Sequence, residues 1–369
     1  MKTKTILLFS AIIIAGLIFS QRLIPIAMAA PTVNSVGGTI NNGQAITISG
    51  SGFGTKSPAA PIDFWTFDEG TDGSVVSRSG WTATSDSPTS RPQYNSSRYY
   101  GSSGKSMLTN PQHIYRMKSG IYWDENPPPS PQTLYITYNS WKEGPGGSTT
   151  GSWGNCCFIK YVRLSSTNNM PELIISDNGD GGPWLRIGAY RIDGQSDILD
   201  VNFQFDKWTR DELFLNAGTQ GNSDPSFKYW NHDIGTAITS HSHNIAFPLL
   251  TDSQRVYSYR LGNELFDRHW VDNVYIDHTQ ARVEIGDKST WNACAHREIQ
   301  VPSAWSSSSI TFIARQGTFS GSGTAYLYVV DSTGAMNSNG YPITIGSGGG
   351  TPPPSDTTPP AAPRGLKIN

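Results

Sequence analysis

The sequence has few charged residues and almost no excess of one sign. Asp, Glu, Lys and Arg make up 15% of its 369 residues, and 27 basic residues stand against 29 acidic ones. Proteins that bind nucleic acid or anionic membrane surfaces do so through clustered positive charge. We therefore expect neither nucleic acid nor an anionic membrane surface as a partner.

Cysteine is also scarce. The chain has three cysteines, namely the adjacent Cys156 and Cys157, and Cys294. Small domains held together by disulfides use far more of them, so this chain has to rely on hydrophobic cores, and its length suffices for two. One of the adjacent pair could form a disulfide with Cys294, which would leave one thiol over. Three unpaired, buried cysteines are the alternative.

Long apolar runs are missing except near the N-terminus. Ile6–Phe19 is a run of 14 residues without charge, preceded by Lys2 and Lys4 and followed by Ala27-Met28-Ala29. A membrane span needs about 20 apolar residues, whereas a shorter run between a positive end and small residues is typical of a signal peptide. We predict that residues 1–30 export the protein to the medium or the cell surface and are its only contact with a membrane. An uncleaved N-terminal anchor is the alternative.

Glycine, proline and tryptophan are abundant. The chain has 38 Gly, 24 Pro and 11 Trp. This composition is typical of short strands joined by turns, as in secreted β-sandwiches and jelly rolls, and no long stretch has the periodicity of a helix. We therefore predict an all-β protein.

The segment after residue 30 reads as two strands around a tight turn. Thr39–Ile40 and Ala45–Ser49 are separated by Asn-Asn-Gly, and the sequence GSGFG then surrounds Phe53 with glycines. Asn and Gly tolerate the positive φ of a hairpin turn. The order of these motifs resembles the opening of an IPT/TIG domain, which is an immunoglobulin-like sandwich. A segment of this size cannot bury a core alone.

The second half of such a domain follows much later. Ala281–Gly346 contains ARVEIG, SAWSSSSITFIARQGTF, TAYLYVVD and NGYPITIG, whose apolar and polar residues alternate. This series is similar to the second half of an IPT/TIG domain. We therefore predict that residues 31–60 and 279–346 form one sandwich, and that residues 347–369 are a Pro- and Gly-rich linker and tail.

The intervening residues 61–278 read as a series of further strands. They open with IDFWTFDEG, contain WTRDELFLN and close with WVDNVYID. The series resembles a concanavalin A-like lectin/glucanase jelly roll, a family in which the first and last strands are neighbours in one sheet. An insertion needs ends that lie close together. The expected fold is therefore an all-β immunoglobulin-like β-sandwich with an inserted concanavalin A-like jelly roll.

Motifs for catalysis are absent or weak. Retaining glycosidases need two carboxylates about 5 Å apart, and hydrolases of the resembled family carry them on an E-x-D-x-E strand that this chain lacks. Lyases of that family have R-x-E-L-R, Q-x-H and Y-F-K-x-G-x-Y strands, which WTRDELF and FKYWN match only loosely. Residues that could serve a lyase are His232, His241, His243, Arg255, Tyr257, Tyr259 and Arg260. We assign no catalytic residue.

Two groups of residues are candidates for sugar binding, since aromatic faces stack on sugar rings and planar polar groups bind hydroxyls. Packing in a core is the alternative for each of them. The candidates are Trp184, Arg186 and Tyr190 on one strand, and Tyr229, Trp230 and Asn231 on another. We expect non-catalytic binding of a polysaccharide or cell-surface glycan, as in adhesion. A lyase-like enzyme and a structural spacer in an extracellular assembly are the alternatives.

Calcium is the one cofactor that the sequence suggests. The loop that starts at Asp177 and includes Asp180 offers the hard oxygen ligands that Ca²⁺ prefers, although Asp, Asn and Gly also favour a plain turn. The resemblance to the concanavalin A-like family implies a second place, at Asp272 on the closing strand, with Asp68 or Glu69 as partner. Such an ion would be structural.

Overall fold

The computed structural model describes most of residues 31–60 and 279–346, which we call the host, and the strands between them. It describes residues 29–85, 88–101, 104–109, 118–124, 133–143, 158–164, 172–177, 184–190, 196–202, 206–216, 226–231, 236–242, 253–261, 268–319, 321 and 323–346. Within these ranges the regular structure is strand, apart from short 3₁₀ turns at Pro88–Ser90 and Trp291–Ala293. No helix in the described ranges is long and apolar enough to cross a membrane.

The strands are numbered in chain order. They are β1 (Thr32–Gly37), β2 (Ala45–Ser51), β3 (Asp63–Trp65), β4 (Thr82–Ser85), β5 (Gln93–Asn95), β6 (Ser106–Thr109), β7 (Lys118–Asp124), β8 (Thr133–Lys142), β9 (Phe158–Leu164), β10 (Glu172–Asp177), β11 (Trp184–Tyr190), β12 (Ser196–Asn202), β13 (Trp208–Asn216), β14 (Ser226–Asn231), β15 (Thr236–Ser242), β16 (Ser253–Leu261), β17 (His269–Asp277), β18 (Arg282–Gly286), β19 (Arg297–Trp305), β20 (Ser309–Ile313), β21 (Gly323–Val330) and β22 (Tyr341–Ile345). The all-β fold class is therefore confirmed.

Strands from the two ends of the described chain form one sheet, which we call the host sheet. Its order is β1-β2-β20-β19-β18-β21-β22, and all its neighbouring strands are antiparallel. In β2, Ile46 lies opposite Phe312 of β20, far away in sequence. The pair β1-β2 thus joins the rest of this sheet only through β20, beyond residue 278.

The host sheet curls around a closed apolar core. The side chains that alternate inward are buried, and a bridge between Ile40 and Ile345 joins the two ends of the strand order. The core contains Ile40, Ile46, Ile48, Phe53, Val283, Ile285, Ile310, Phe312, Ala314, Ala325, Leu327, Val329, Ile343 and Ile345. Both parts of the host-like sequence contribute to it, so neither forms this core alone.

The strands between form two further antiparallel sheets, as in a sandwich or jelly roll. One has the order β12-β11-β10-β9-β16-β7-β4. The other has the order β15-β14-β13-β8-β17-β6-β5, with β3 also paired to β17, and we call it the boundary sheet because it meets the host sheet. Its register places Val274 opposite Trp65 and Ile276 opposite Asp63. The strands that open and close the predicted insertion, β3 and β17, are therefore neighbours, which is the arrangement that such an insertion requires.

Candidate functional site

One face of the boundary sheet meets the host sheet, and we call it the boundary face. Residues directly opposite each other in a sheet share a face, so Trp208, Arg210 and Glu212 of β13 share this face with Trp141, Asn139 and Thr137 of β8. Arg210 and Glu212 both contact residues of β18. The adjacent Asp211 lies on the opposite face, where it binds Lys142 and Ser140.

Three tryptophans lie side by side at one end of this face, and we call them the indole row. Trp208 of β13 is opposite Trp141 of β8, and Trp141 is opposite Trp270 of β17. The rings of Trp141 and Trp208 meet edge to face, with their centroids 6.2 Å apart. Trp270 is buried and donates its indole N–H to Asn95, whereas Trp141 and Trp208 are half-buried. The row thus presents two partly exposed rings.

A guanidinium group stacks on the row. The central carbon of Arg98 lies 4.1 Å from the ring centroid of Trp141 and 4.7 Å from that of Trp270. Two buried donors in this stack, Nε of Arg98 and Nε1 of Trp141, have no hydrogen-bond partner within the described part of the chain. Buried donors are normally satisfied, so these two are exceptions within the described residues.

A polar cavity of about 210 Å³ opens beside the row, between the boundary sheet and the host sheet, and we call it the seam pocket. Both parts of the fold contribute to its walls. They are Tyr100, Asn139, Trp208, Thr209, Arg210, Cys294, Ala295, His296 and Arg297. The ring of Tyr100 meets that of Trp208 edge to face at 5.8 Å, which connects the pocket to the indole row.

A chain of polar groups runs from the host sheet into the pocket. The hydroxyl of Tyr100 lies 2.8 Å from Nδ1 of His296, and Nε2 of this histidine lies 2.9 Å from a carboxylate oxygen of Glu298. The hydroxyl of Thr318 lies 2.5 Å from the same Nε2. A carboxylate on one ring nitrogen favours the tautomer that carries its proton there. In this arrangement Nδ1 accepts a hydrogen bond from the Tyr100 hydroxyl.

Arg210 lines the pocket, and each of its N–H groups donates to an acceptor within the protein. Arg210 donates from Nη1 and Nη2 to the two carboxylate oxygens of Glu284, at 3.0 and 3.1 Å. Its remaining N–H groups meet Thr137, the carbonyl of Arg297 and the carboxylate of Glu212. A guanidinium has five N–H donors, and all five are used here.

Glu284 collects further guanidinium groups. Arg282 and Arg297 each donate from Nε to it, at 2.5 and 3.0 Å, and Arg282 also reaches Glu212. Burial alone would raise the pKa of Glu284, but Arg210 and Arg282 outweigh this effect and hold the pKa at about 2. The cluster therefore keeps its charges at neutral pH and ties the boundary face to β18 and β19.

Asp272 occupies a buried position on the boundary face, opposite Asn139. Its two carboxylate oxygens accept hydrogen bonds from the backbone N–H groups of Tyr100 and Asn273. Burial raises the pKa of Asp272 well above its usual value, and the charge of Asp68 raises it further. Two interacting carboxylates suit a cation, yet the described residues contain no group of three or more His, Cys, Asp or Glu side chains that could hold a metal ion.

Glu69, the other partner considered for Asp272, is engaged elsewhere. Its carboxylate accepts the indole N–H of Trp65 and lies 3.5 Å from the hydroxyl of Tyr94. At the other calcium candidate, Asp177 is the last residue of β10, and Asp180 lies outside the described residues. Calcium stays a prediction at both places.

The two candidate sugar-binding groups lie on different sheets. Trp184, Arg186 and Tyr190 hold alternate positions on β11, in the sheet that does not include the indole row. On β14, Trp230 is opposite Glu212 of the boundary face, whereas Tyr229 is opposite Leu213 and Asn231 is opposite Asp211. The structure thus places Trp230, which is half-buried, at a position of the boundary face.

The residues considered for a lyase are also divided between sheets. His241 lies on β15 of the boundary sheet, while Arg255, Tyr257, Tyr259 and Arg260 lie on β16 of the other sheet. His232 and His243 lie outside the described residues, as do Cys156 and Cys157. Cys294 carries a thiol that contacts the carbonyl of Thr290 and the hydroxyl of Tyr328.

Sequence reasoning missed the indole row and the seam pocket. Each tryptophan of the row lies near one end of a strand-like run, Trp141 at the end of LYITYNSW, Trp208 at the start of WTRDELF and Trp270 at the start of HWVDNVYI. Pairing these runs as antiparallel neighbours would have brought the three indoles together. No such signal exists for Tyr100 and His296, which meet only through the packing of one sheet on another.

Comparisons with known proteins assign no function to this chain. No family model and no curated protein matches the chain. An alginate lyase from Aplysia kurodai is similar in structure, with 12% identity, a TM-score of 0.39, and 58% of this chain and 98% of that one covered. The receptor-binding domain of botulinum neurotoxin type G is 9% identical, with a TM-score of 0.38, and the match covers 73% of this chain and 72% of that one. The xylan-binding domain CBM22-1 from Paenibacillus barcinonensis is 12% identical, with a TM-score of 0.26, and the match covers 59% of this chain and 93% of that one. Scores this low assign no activity.

Proposed function

We propose that this protein binds a glycan at the indole row and the seam pocket without changing it chemically. The observation that carries the proposal is the row itself, in which the half-buried Trp208 and Trp141 stand opposite each other on adjacent strands, next to the buried Trp270. Indole faces stack on the C–H surfaces of sugar rings, and such sites add a few well-placed polar groups that set orientation. Asn139 and Tyr100 supply those groups at the pocket.

The size of the pocket limits what enters it. Its volume of about 210 Å³ is below the ~300–1,000 Å³ of sites that enclose a drug-sized ligand. One sugar ring at a chain end or branch fills such a space. The indoles lie one strand apart, a spacing of about 4.8 Å, so the rest of an extended chain would cross the strands along the row.

The bonding of Arg210 in the pocket wall favours a neutral sugar. An acidic sugar is normally held by a guanidinium that faces its carboxylate with two N–H groups. Arg210 has no N–H left for this purpose, because all five are bound within the protein. We therefore infer that the ligand is a neutral polysaccharide or the neutral part of a cell-surface glycan, bound by an exported protein in an adhesive role. We also propose an IPT/TIG-like host and a concanavalin A-like insertion.

Retention on immobilised polysaccharides tests this proposal. Wild-type protein should be retained by at least one neutral polysaccharide in a panel, and Trp208→Ala should lose that retention. Trp81→Ala is a matched control, since Trp81 is a half-buried indole that packs on Trp65. Equal retention of wild type and Trp208→Ala on every polysaccharide would contradict the site, and no retention at all would leave a spacer as the better explanation.

A lyase is the second candidate, and one observation favours it. The hydroxyl of Tyr100 faces Nδ1 of His296 beside the pocket, which is the pairing a general base needs. The bonding of Arg210 argues against a lyase. All N–H groups of Arg210 are bound within the protein, so it cannot neutralise a uronate carboxylate. The same polysaccharide panel decides between them when it is followed by ultraviolet absorbance, because a lyase forms an unsaturated product.

A structural calcium ion is the proposed cofactor. Asp272 would hold it together with Asp68, since the charge of the exposed Asp68 acts on the carboxylate of the buried Asp272. A divalent cation would offset the cost of burying the charge of Asp272. The ion would fix the closing strand and would take no part in binding the glycan.

A further inference from the structure

Lys56 and Asp277 form a buried pair where the chain leaves the host sheet and where it returns. Nζ of Lys56 lies 2.6 Å from Oδ2 of Asp277, and the two side chains are only 1% and 6% exposed. Lys56 follows the GSGFG segment of the host, and Asp277 is the last residue of β17. The pair thus bridges the two crossings between host and insertion.

The surroundings of this pair are aromatic. Nζ of Lys56 lies 5.6 Å from the ring centroid of Trp305 and 5.9 Å from that of Tyr275. The hydroxyl of Tyr275 accepts a hydrogen bond from Nζ at 3.2 Å and donates one to Oδ2 of Asp277 at 2.9 Å. One hydroxyl therefore contacts both members of the pair.

The environment pushes both groups toward their neutral forms. Burial lowers the pKa of Lys56, with Arg282 adding to this effect and Asp277 opposing it. Burial likewise raises the pKa of Asp277, with Lys56, the Tyr275 hydroxyl and the backbone N–H of Thr279 opposing it. A neutral amine is a nucleophile, and a protonated carboxyl is a better electrophile than a carboxylate.

We propose that Lys56 and Asp277 condense to an amide, which links the host covalently to the end of the insertion. The nitrogen of Lys56 attacks the carboxyl carbon of Asp277, a C–N bond forms, and the bond from that carbon to its hydroxyl breaks. One proton from the nitrogen leaves with the hydroxyl as water, so no oxidant, reductant or other reactant is needed. The Tyr275 hydroxyl contacts both reacting groups and carries the proton between them.

Contact between the amine of Lys56 and the carboxyl of Asp277 makes the main contribution to the rate of the condensation. Two groups held in contact within a protein react as if each were present at an effective concentration of up to ~10⁵–10⁸ M. The folded chain holds this amine and this carboxyl together in a site that excludes water. The reaction therefore needs folding of both the host and the insertion, and it does not depend on the proposed binding of glycan.

Intact mass spectrometry of the purified, folded protein tests the proposal. Once the N-terminal residue has been determined, the mass should be lower than that of the sequence by one water. Tryptic digestion should then yield a branched peptide that joins the segment with Lys56 to the segment with Asp277. A mass equal to that of the sequence, or unlinked peptides at these positions, would show an ion pair only and overturn the proposal.

Variants separate this bond from other losses of water. Lys56→Met and Asp277→Ala should each restore the full mass, and Asp277→Asn should lose one ammonia instead, because the leaving group is then an amide nitrogen. Tyr275→Phe should raise the fraction of protein without the bond. Lys288→Met is the control and should keep the loss of water, since Lys288 is an exposed lysine paired with Asp287. If a variant fails to fold, the branched peptide of the wild type still decides the question.

Discussion

Arg210 and Glu284 form a bidentate ion pair across the boundary between insertion and host, with nitrogen-to-oxygen distances of 3.0 and 3.1 Å. Glu284 has no exposed surface, and Arg210 is 8% exposed. Removing one member of a buried ion pair leaves the other charge without compensation. The pair therefore makes the contact between the two parts of the fold sensitive to single substitutions.

Glu284→Gln should be strongly destabilising, because Arg210, Arg282 and Arg297 would lose the charge that they share. We expect a loss of about 3–5 kcal/mol in the free energy of unfolding, measured by denaturant titration. The control is Glu143→Gln, which breaks a partly exposed pair with Arg268 and should cost less than about 1 kcal/mol. Similar losses for the two variants would contradict a special role for the buried cluster.

Acid should weaken the fold through the same residue. The pKa of Glu284 is about 2 in the folded protein, below the ordinary glutamate value of 4.5, so the folded chain binds the proton less readily than the unfolded chain. The stabilisation is fully present above about pH 4.5 and is lost as the pH falls through about 2. Denaturant titrations across this window should show a steeper decline for wild type than for Glu284→Gln. Parallel declines would assign the acid sensitivity to other carboxyls.

Tyr100→Phe should weaken glycan binding without unfolding the protein. The substitution removes the one hydroxyl that reaches from the pocket to His296 and keeps the ring that packs against Trp208. A single hydrogen bond contributes about 1 kcal/mol, so the Kd should rise roughly 5-fold. The measurement is calorimetric titration with the polysaccharide that retains the wild type. Tyr99→Phe, one residue earlier, should leave the Kd unchanged.

Calcium should stabilise the wild type and not Asp272→Asn. A ligand at 100 times its Kd stabilises the folded state by ~2.7 kcal/mol, which would appear as a rise in Tm after calcium is added to chelator-treated protein. Asp272→Asn removes the charge and keeps the size of the side chain. An equal rise in both proteins would place the ion elsewhere, and no rise in the wild type would remove calcium from the proposal.

Gly50→Ala should destabilise the host sheet. A Cβ atom at position 50 would collide with the carbonyl of Thr32 and come within 2.5 Å of the ring of Phe53, which is fully buried. Backbone atoms of β1 cannot move away without breaking their pairing with β2, so we expect a loss of more than about 1 kcal/mol. Gly323→Ala is the control, since a Cβ there meets nothing within 4 Å. Equal stability of the two variants would contradict the close packing around Phe53.

The joining of residues 31–60 and 279–346 in one sandwich could be anticipated from the sequence. Alternating residues such as Ile310 and Phe312, the tight turn before Ala45 and the glycines around Phe53 are local signals, and a half-formed sandwich required a partner later in the chain. The same logic led us to expect the pairing of β3 with β17, which the structure contains. The exact limits of the host and insertion, and their family membership, stay predictions.

The site was harder to predict because it depends on packing between sheets. Two of the contacts described above join residues that are far apart in sequence, Tyr100 with His296 and Lys56 with Asp277. Both contacts require the host sheet to pack on the boundary face. No periodicity encodes such a contact. The prediction for Trp184 and Tyr190 rests on alternation alone, which identifies a shared side of a strand without indicating what that side faces.

The pairing of Ile46 with Phe312 has a consequence for the order of events during synthesis. When β1 and β2 emerge, the strands that complete their sheet have not been made, because the whole insertion comes first. The edge of β2 must stay unpaired until β20 appears, and unpaired edges invite aggregation. Folding of the insertion brings β3 beside β17, which shortens the chain that separates β2 from β18 and lowers the entropic cost of closing the host. A folded insertion would thereby favour the closing of its own host sheet.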